Sequence, residues 1–221
     1  MDLTRLVTRE PPRVPTTTPP GAGAGVEGNA RLTGAAGAAL FIILAVEGIT
    51  ILQIKQLISW HVFLGMLLVP LVLLKTGSTG FRFAHYYSGD PPYREKGPPH
   101  RLLRVTGPLL VLSTLALLGT GIALVALGRN VGHSYLWLHK ATFFVWGALI
   151  VIHVLGHLRE TATLTAADWR ERALRAAPAR LAGADARLSL LVVTLAVGAA
   201  LGIVSLGWVG SWHHFMHLGR G

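Results

Sequence analysis

Hydrophobic and polar positions divide the chain into five long apolar runs separated by short polar or basic segments. The runs are residues 32–54, 57–74 (extending toward 83), 105–127, 135–158 and 188–209. At about 1.5 Å of rise per residue, each is close to the length that crosses a hydrocarbon core about 30 Å thick. In hydrocarbon a lone segment satisfies its backbone only as a helix. The pattern predicts an all-α, integral membrane helical bundle of five transmembrane helices, a four-helix core plus a fifth helix. The turn at residues 55–56 is tight and makes the first two helices an antiparallel hairpin. The GRNVGHS turn does the same for the third and fourth. Gly34, Gly37, Gly198 and Gly202 stand at spacings that favour close helix packing.

The flanking segments set the boundaries. Residues 1–30 are rich in Pro, Thr, Gly and Ala, have no apolar stretch of signal-peptide type, and are expected to be a disordered tail. Residues 31–160 form the four-helix core, 161–187 a basic amphipathic loop, and 188–221 the fifth helix with a histidine-bearing tail. Within the loop, Thr165 before Asp168 suggests a helix cap, and Arg170, Arg172 and Arg175 suggest a short helix lying on the membrane surface.

Charge orients the bundle. The chain has 221 residues, 52% hydrophobic and 14% charged, with a net charge of +10. That excess is spread in membrane fashion, which argues against nucleic acid as the partner. Of its 20 Lys and Arg, 16 fall in the tail and in the loops after the second and fourth helices. Only Lys55, Arg129, Lys140 and Arg220 fall on the other side. The bias places the N-terminus inside and the C-terminus outside. The second and fourth helices then run parallel, from outside to inside. The absence of cysteine excludes disulfides, iron–sulfur clusters and thioether-linked haem.

Histidines supply the candidate chemistry, because an imidazole in hydrocarbon is costly and usually has a task. His61 and His139 stand near the starts of the second and fourth runs, so the parallel topology brings them to one depth. One imidazole from each of two facing helices suits axial ligation of haem iron. Gly65 and Gly147 would let a porphyrin approach those helices. His153 lies fourteen residues beyond His139, roughly 21 Å deeper and within about 40° of the same face. The second helix has Lys75 at the matching depth. A second, inner haem would need Lys75 as a neutral amine, or His85 if the helix runs past Gly77 and Gly80. His157, on the same helix as His153, cannot take the opposite side of one iron. Pro70 is expected to kink the second helix. Alternatively the inner histidines bond within the bundle and Lys75 reaches the surface.

Other polar residues offer secondary roles. Glu47 is the one acid well inside an apolar run and is a candidate for proton transfer; the bland alternative is a neutral acid bonded to a nearby Thr or His. Arg82, Arg94 and Lys96 could hold haem propionates or lipid headgroups, though positive-inside residues need no such role. In the tail, His213 and His217 are spaced to chelate a metal, with His214 beside them. No carboxylate accompanies them, and a plain surface tail is the favoured explanation.

Two hairpins with histidines on the second helix and near both ends of the fourth resemble the four-helix membrane b-type cytochromes. These include bacterial diheme cytochromes and the haem-bearing membrane subunits of respiratory oxidoreductases. The stretches HVFLGMLLVPLVLLKTGSTGFRF and LHKATFFVW…HVLGHL are also similar to actinobacterial integral membrane proteins. The resemblance covers residues 31–160. It implies one haem b, or two, with quinone as a further ligand. It also implies electron transfer with a redox partner subunit or quinone, in the bilayer of a bacterial cytoplasmic membrane. Axial ligation carries over to His61, His139 and His153. Diheme members supply four such histidines, and the inner partner on the second helix is missing here. With no soluble catalytic domain, the chain reads as an electron-transfer component and not a self-contained enzyme. A proton or metal-ion transporter, and a structural membrane subunit, are the competing classes.

Overall fold

The computed structural model describes residues 22–95, 101–128, 132–172, 183–210 and 212, with side chains in 25–95, 104–128, 135–155, 183, 185–210 and 212. Six helices make up the described chain: α1 (Ala22–Leu52), α2 (Ile54–Tyr87), α3 (Pro91–Glu95), α4 (Arg101–Leu127), α5 (Gly132–Arg172) and α6 (Ala184–Leu206). All but α3 contain a stretch long and apolar enough to cross a membrane. The five apolar runs therefore became five helices of an all-α bundle, with no strand among the described residues.

The ends moved outward from the apolar runs. Residues 22–29, expected as tail, form the first two turns of α1; the tail up to residue 21 lies outside the described residues. Their Gly and Ala content does not stop a helix already anchored on apolar turns, since nucleation is the costly step. The second helix reaches Tyr87, past Gly77 and Gly80. Its dihedrals stay helical through Pro70, and the one non-helical residue inside it is Leu57 (φ −109°, ψ 19°), near the tight turn at Gln53. The dihedral break inside α2 therefore lies near Leu57 and not at Pro70. Helix α5 runs unbroken through Thr165 and Asp168 to Arg172, so that stretch continues a transmembrane helix and is not a separate surface helix. Gly128 ends α4 with φ 62°, the left-handed turn that closes helices.

Polarity is inverted relative to a protein folded in water. Glu47, Thr50, Ser78, Thr106 and Ser205 are buried, while Leu52, Phe144, Trp137 and Val105 are exposed. That is the arrangement hydrocarbon surroundings demand, since a polar group facing lipid finds no partner.

Packing falls into two groups. Helix α2 packs closely on α1 and α6, and α4 on α5. Between the groups the close backbone approaches run mainly from α2 to α4. Gly198 and Gly202 lie against α2: a methyl at either would stand 2.7 Å from the Leu67 carbonyl oxygen or 2.5 Å from the Phe63 ring. The expected close packing holds there. At Gly34 a methyl would meet nothing within 4 Å, and Gly37 makes room for the Lys75 side chain. Two buried clusters fill the bundle. One joins Ala36, Leu40, Leu68 and Leu71; the other joins Ile58, Val62, Leu124, Val125, Val209 and Trp212 at the opposite end.

Candidate functional site

The second cluster closes one end of the bundle, and just beneath it lie the two depth-matched histidines. His61, in the second turn of α2, and His139, in the second turn of α5, have ring centroids 6.4 Å apart and planes 80° apart. The helices that carry them do not pack closely on each other. The imidazoles therefore meet from two separate helix groups.

Each ring is held from behind through Nδ1. On α1, Glu47 is 8% exposed, and its Oε1 lies 2.8 Å from His61 Nδ1. Thr50, 3% exposed, sits one turn on, with Oγ1 2.7 Å from the Glu47 carbonyl oxygen, 3.1 Å from Glu47 Oε2 and 3.2 Å from His61 Nδ1. On α4, Thr120 Oγ1 lies 3.0 Å from His139 Nδ1, and Thr142 stands 3.5 Å away. Gly121 gives His139 its room: a methyl there would stand 3.2 Å from Cε1.

These partners assign the tautomers. Thr120 has one hydroxyl proton, and Oγ1 lies 2.8 and 2.9 Å from the carbonyls of Ala116 and Leu117. With that proton donated to the helix, Oγ1 accepts from His139 Nδ1–H. Thr50 likewise donates to Glu47, whose carboxylate and carbonyl are both acceptors. His61 Nδ1–H then donates to Glu47. Inferred from this network, both rings carry a proton on Nδ1, which leaves Nε2 as the nitrogen that can ligate a metal. Two imidazoles with Nδ1 fixed from behind are the usual donor set of a metal centre held between helices.

The other expected residues fall elsewhere. Lys75 Nζ donates to the carbonyl of Thr33 on α1 (3.1 Å). It belongs to a polar patch where Thr33 Oγ1 donates to Ser78 Oγ (2.8 Å) and Asn29 Nδ2 to the Ser78 carbonyl (3.0 Å). His85 does lie on α2, but its Nδ1 bonds the Phe81 carbonyl (3.0 Å), and its ring packs 4.0 Å from Phe81 and 5.1 Å from Tyr93. Burial and the neighbouring Asp90 raise the Tyr93 phenol above its ordinary value. His153 is half-buried on α5 with Nδ1 shielded from solvent. Arg82 is half-buried and Arg94 exposed. Gly65 faces the Glu47 carboxylate, 3.9 Å from where a methyl would be, and Gly147 faces open space. The side chain of His157, along with Lys96, Arg175, His213, His214 and His217, lies outside the described residues.

Thr50, Thr120, Thr142 and Gly121 were not singled out from sequence. A usable signal existed for each: in an antiparallel α4–α5 hairpin, His139 falls opposite the Thr120–Gly121 pair. Thr142 follows from the same ladder, and Thr50 from standing three residues after a buried acid. Compared with family models, curated proteins and solved structures, the chain matches none.

Proposed function

We propose that the protein is a membrane-embedded b-type cytochrome that binds one haem b between His61 and His139 and passes single electrons within the bilayer. The observation that supports this most is the spacing of the two rings. An iron midway between two imidazoles, about 2 Å from each Nε2, holds the ring centroids about 6.3 Å apart. The observed separation is 6.4 Å. The fixed Nδ1–H tautomers and the loose fit of α2 against α5 agree with it. When bound, the haem would supply the one-electron chemistry. His61 and His139 would hold it, Thr120 and Glu47 would orient them, and the Trp212 cluster would exclude water from one side. A redox partner or quinone would be the source and sink of electrons. In this reading the N-terminus faces the cytoplasm of a bacterial cell, on the strength of the Lys and Arg bias.

The test is a dithionite-reduced minus oxidised spectrum of protein purified in mild detergent from haem-replete cells, with haem quantified per chain. Sharp α and Soret bands near one haem per chain are expected, lost in His61→Ala or His139→Ala variants that still fold. Folded wild-type protein without haem refutes the reading. A second reading has its own support: Glu47, Thr50 and His61 on one side and His139, Thr120 and Thr142 on the other line up as a polar chain across four helices, with a 6.4 Å ring-to-ring step between the histidines. Proton or metal-ion flux in liposomes from haem-free protein would favour a transporter.

A further inference from the structure

The two histidines are held unequally, and that inequality has chemical consequences. His139 Nδ1–H donates to a neutral hydroxyl, Thr120 Oγ1, at 3.0 Å. His61 Nδ1 lies 2.8 Å from a carboxylate oxygen of Glu47, on a different helix. That carboxylate is nearly enclosed, so water does not weaken the contact. Its other oxygen accepts from Thr50 at 3.1 Å, which keeps the carboxylate turned toward the ring. One carboxylate oxygen is thus held by His61 and the other by Thr50.

A carboxylate accepting the remote N–H of a metal-bound imidazole draws that proton toward itself and raises the basicity of the ligating nitrogen. The gain is larger for ferric than for ferrous iron, because the more positive ion responds more to a stronger donor. A hydroxyl acceptor has a smaller effect, since hydrogen bonds to an ionised partner are roughly twice as strong as neutral ones.

We propose that Glu47 is a positioning residue for the iron centre, fixing the tautomer of His61 and making it the stronger donor of the two ligands, which holds the centre at a lower reduction potential. This rests on the haem reading above. In a resting bundle the same contact has a second effect: it spans α1 and α2, so the ligand is oriented by a helix other than its own. The role differs from proton transfer along the polar chain, which would need Glu47 to exchange its proton during turnover.

The experiment compares full-length wild-type protein with Glu47→Gln in mild detergent. It reads haem per chain, the midpoint potential by redox titration, and the near-infrared magnetic circular dichroism band of the ferric haem, whose energy reports the donor strength of the axial imidazoles. Glutamine keeps the shape and removes the charge. Expected in the haem that is held are a midpoint moved to more positive potential and a band moved to lower energy, with Glu47→Asp lying between the two. Haem retained with potential and band both unmoved overturns the proposal while the cytochrome reading stands. If Glu47→Gln does not hold haem, the wild-type band is compared with bis-imidazole haem in the same detergent. A band at higher energy supports the proposal, and one at equal energy overturns it. Folded wild-type protein without haem defeats the cytochrome reading itself, and this one with it.

Discussion

Replacing Gly198 by alanine tests the packing that fixes the position of His61. A methyl at Gly198 would stand 2.7 Å from the Leu67 carbonyl oxygen, 2.9 Å from its Cδ1 and 3.1 Å from its Cα. Ordinary contact begins at 3.4 Å, so the backbone of α2 is too close by about 0.7 Å. Two of those three atoms are backbone and cannot swing aside. Helices α2 and α6 must separate, which costs the contacts around them as overpacking does, about 2 kcal/mol. At 1.4 kcal/mol per tenfold, that is roughly a thirtyfold drop in the folding equilibrium constant. Gly34→Ala is the matched control, because a methyl there meets nothing within 4 Å. It should be neutral or gain up to about 1 kcal/mol from helix propensity. Both variants would be unfolded from mixed micelles with rising dodecyl sulfate and followed by circular dichroism. Equal effects at the two sites, or a destabilisation at Gly198 below about 0.5 kcal/mol, would refute the close approach of α6 to α2.

Two further substitutions probe the polar groups. Thr120→Val removes the acceptor of His139 Nδ1–H while keeping the side chain's shape; haem affinity should fall about 10- to 100-fold, measured by transfer to a haem scavenger, and an unchanged affinity would mean that Thr120 does not orient the ring. Lys75→Met removes an ammonium whose hydrogen bond goes to the Thr33 carbonyl on α1. Haem content per chain should stay as in wild type, and loss of half the haem would show that Lys75 ligates a second one.

Most of the helical framework was legible because it depends on one strong term, the transfer of apolar side chains into hydrocarbon. That term marks where a helix must be, but not where it stops. Helix α5 continues for more than four turns beyond Leu155 through largely polar residues, since nothing in TLTAADWRER breaks it and the preceding turns already nucleate it. The His61–His139 pair was legible for a related reason: depth in a bilayer is nearly a linear function of residue number along a helix. Their partners were not. Thr120 is one of several hydroxyls in apolar runs, and a threonine bonded only to its own helix looks the same in sequence. Thr194, half-buried on α6, donates to the Leu190 carbonyl of its own helix. Gly198 and Gly34 likewise differ in structure but not in spacing, because the face a helix turns toward its neighbour depends on rotation about its axis. Lys75 and His153 share a depth by count. Yet the hydrogen bond of Lys75 goes toward α1, which depth alone does not reveal.

Many of the polar contacts collect where the two helix groups face each other, where α1 meets α2, and between α4 and α5. Across the first boundary the contacts are the histidine rings, the approach of α2 to α4 and the apolar cluster closing over them. Trp212 reinforces that cluster, donating from Nε1 to the Leu124 carbonyl one turn beyond Thr120. A group bound between His61 and His139 would therefore be held by residues of both halves, and its binding free energy would add to the association of the halves. That is the economy of using one imidazole from each: the same two bonds that place the iron would also fasten α4 and α5 to α1, α2 and α6. It also accounts for the polarity of the site. The hydroxyls and the carboxylate sit behind the rings, where they fix the tautomers, and apolar side chains sit at the end. Water would then be excluded and the field of Glu47 would act on the ligand without screening.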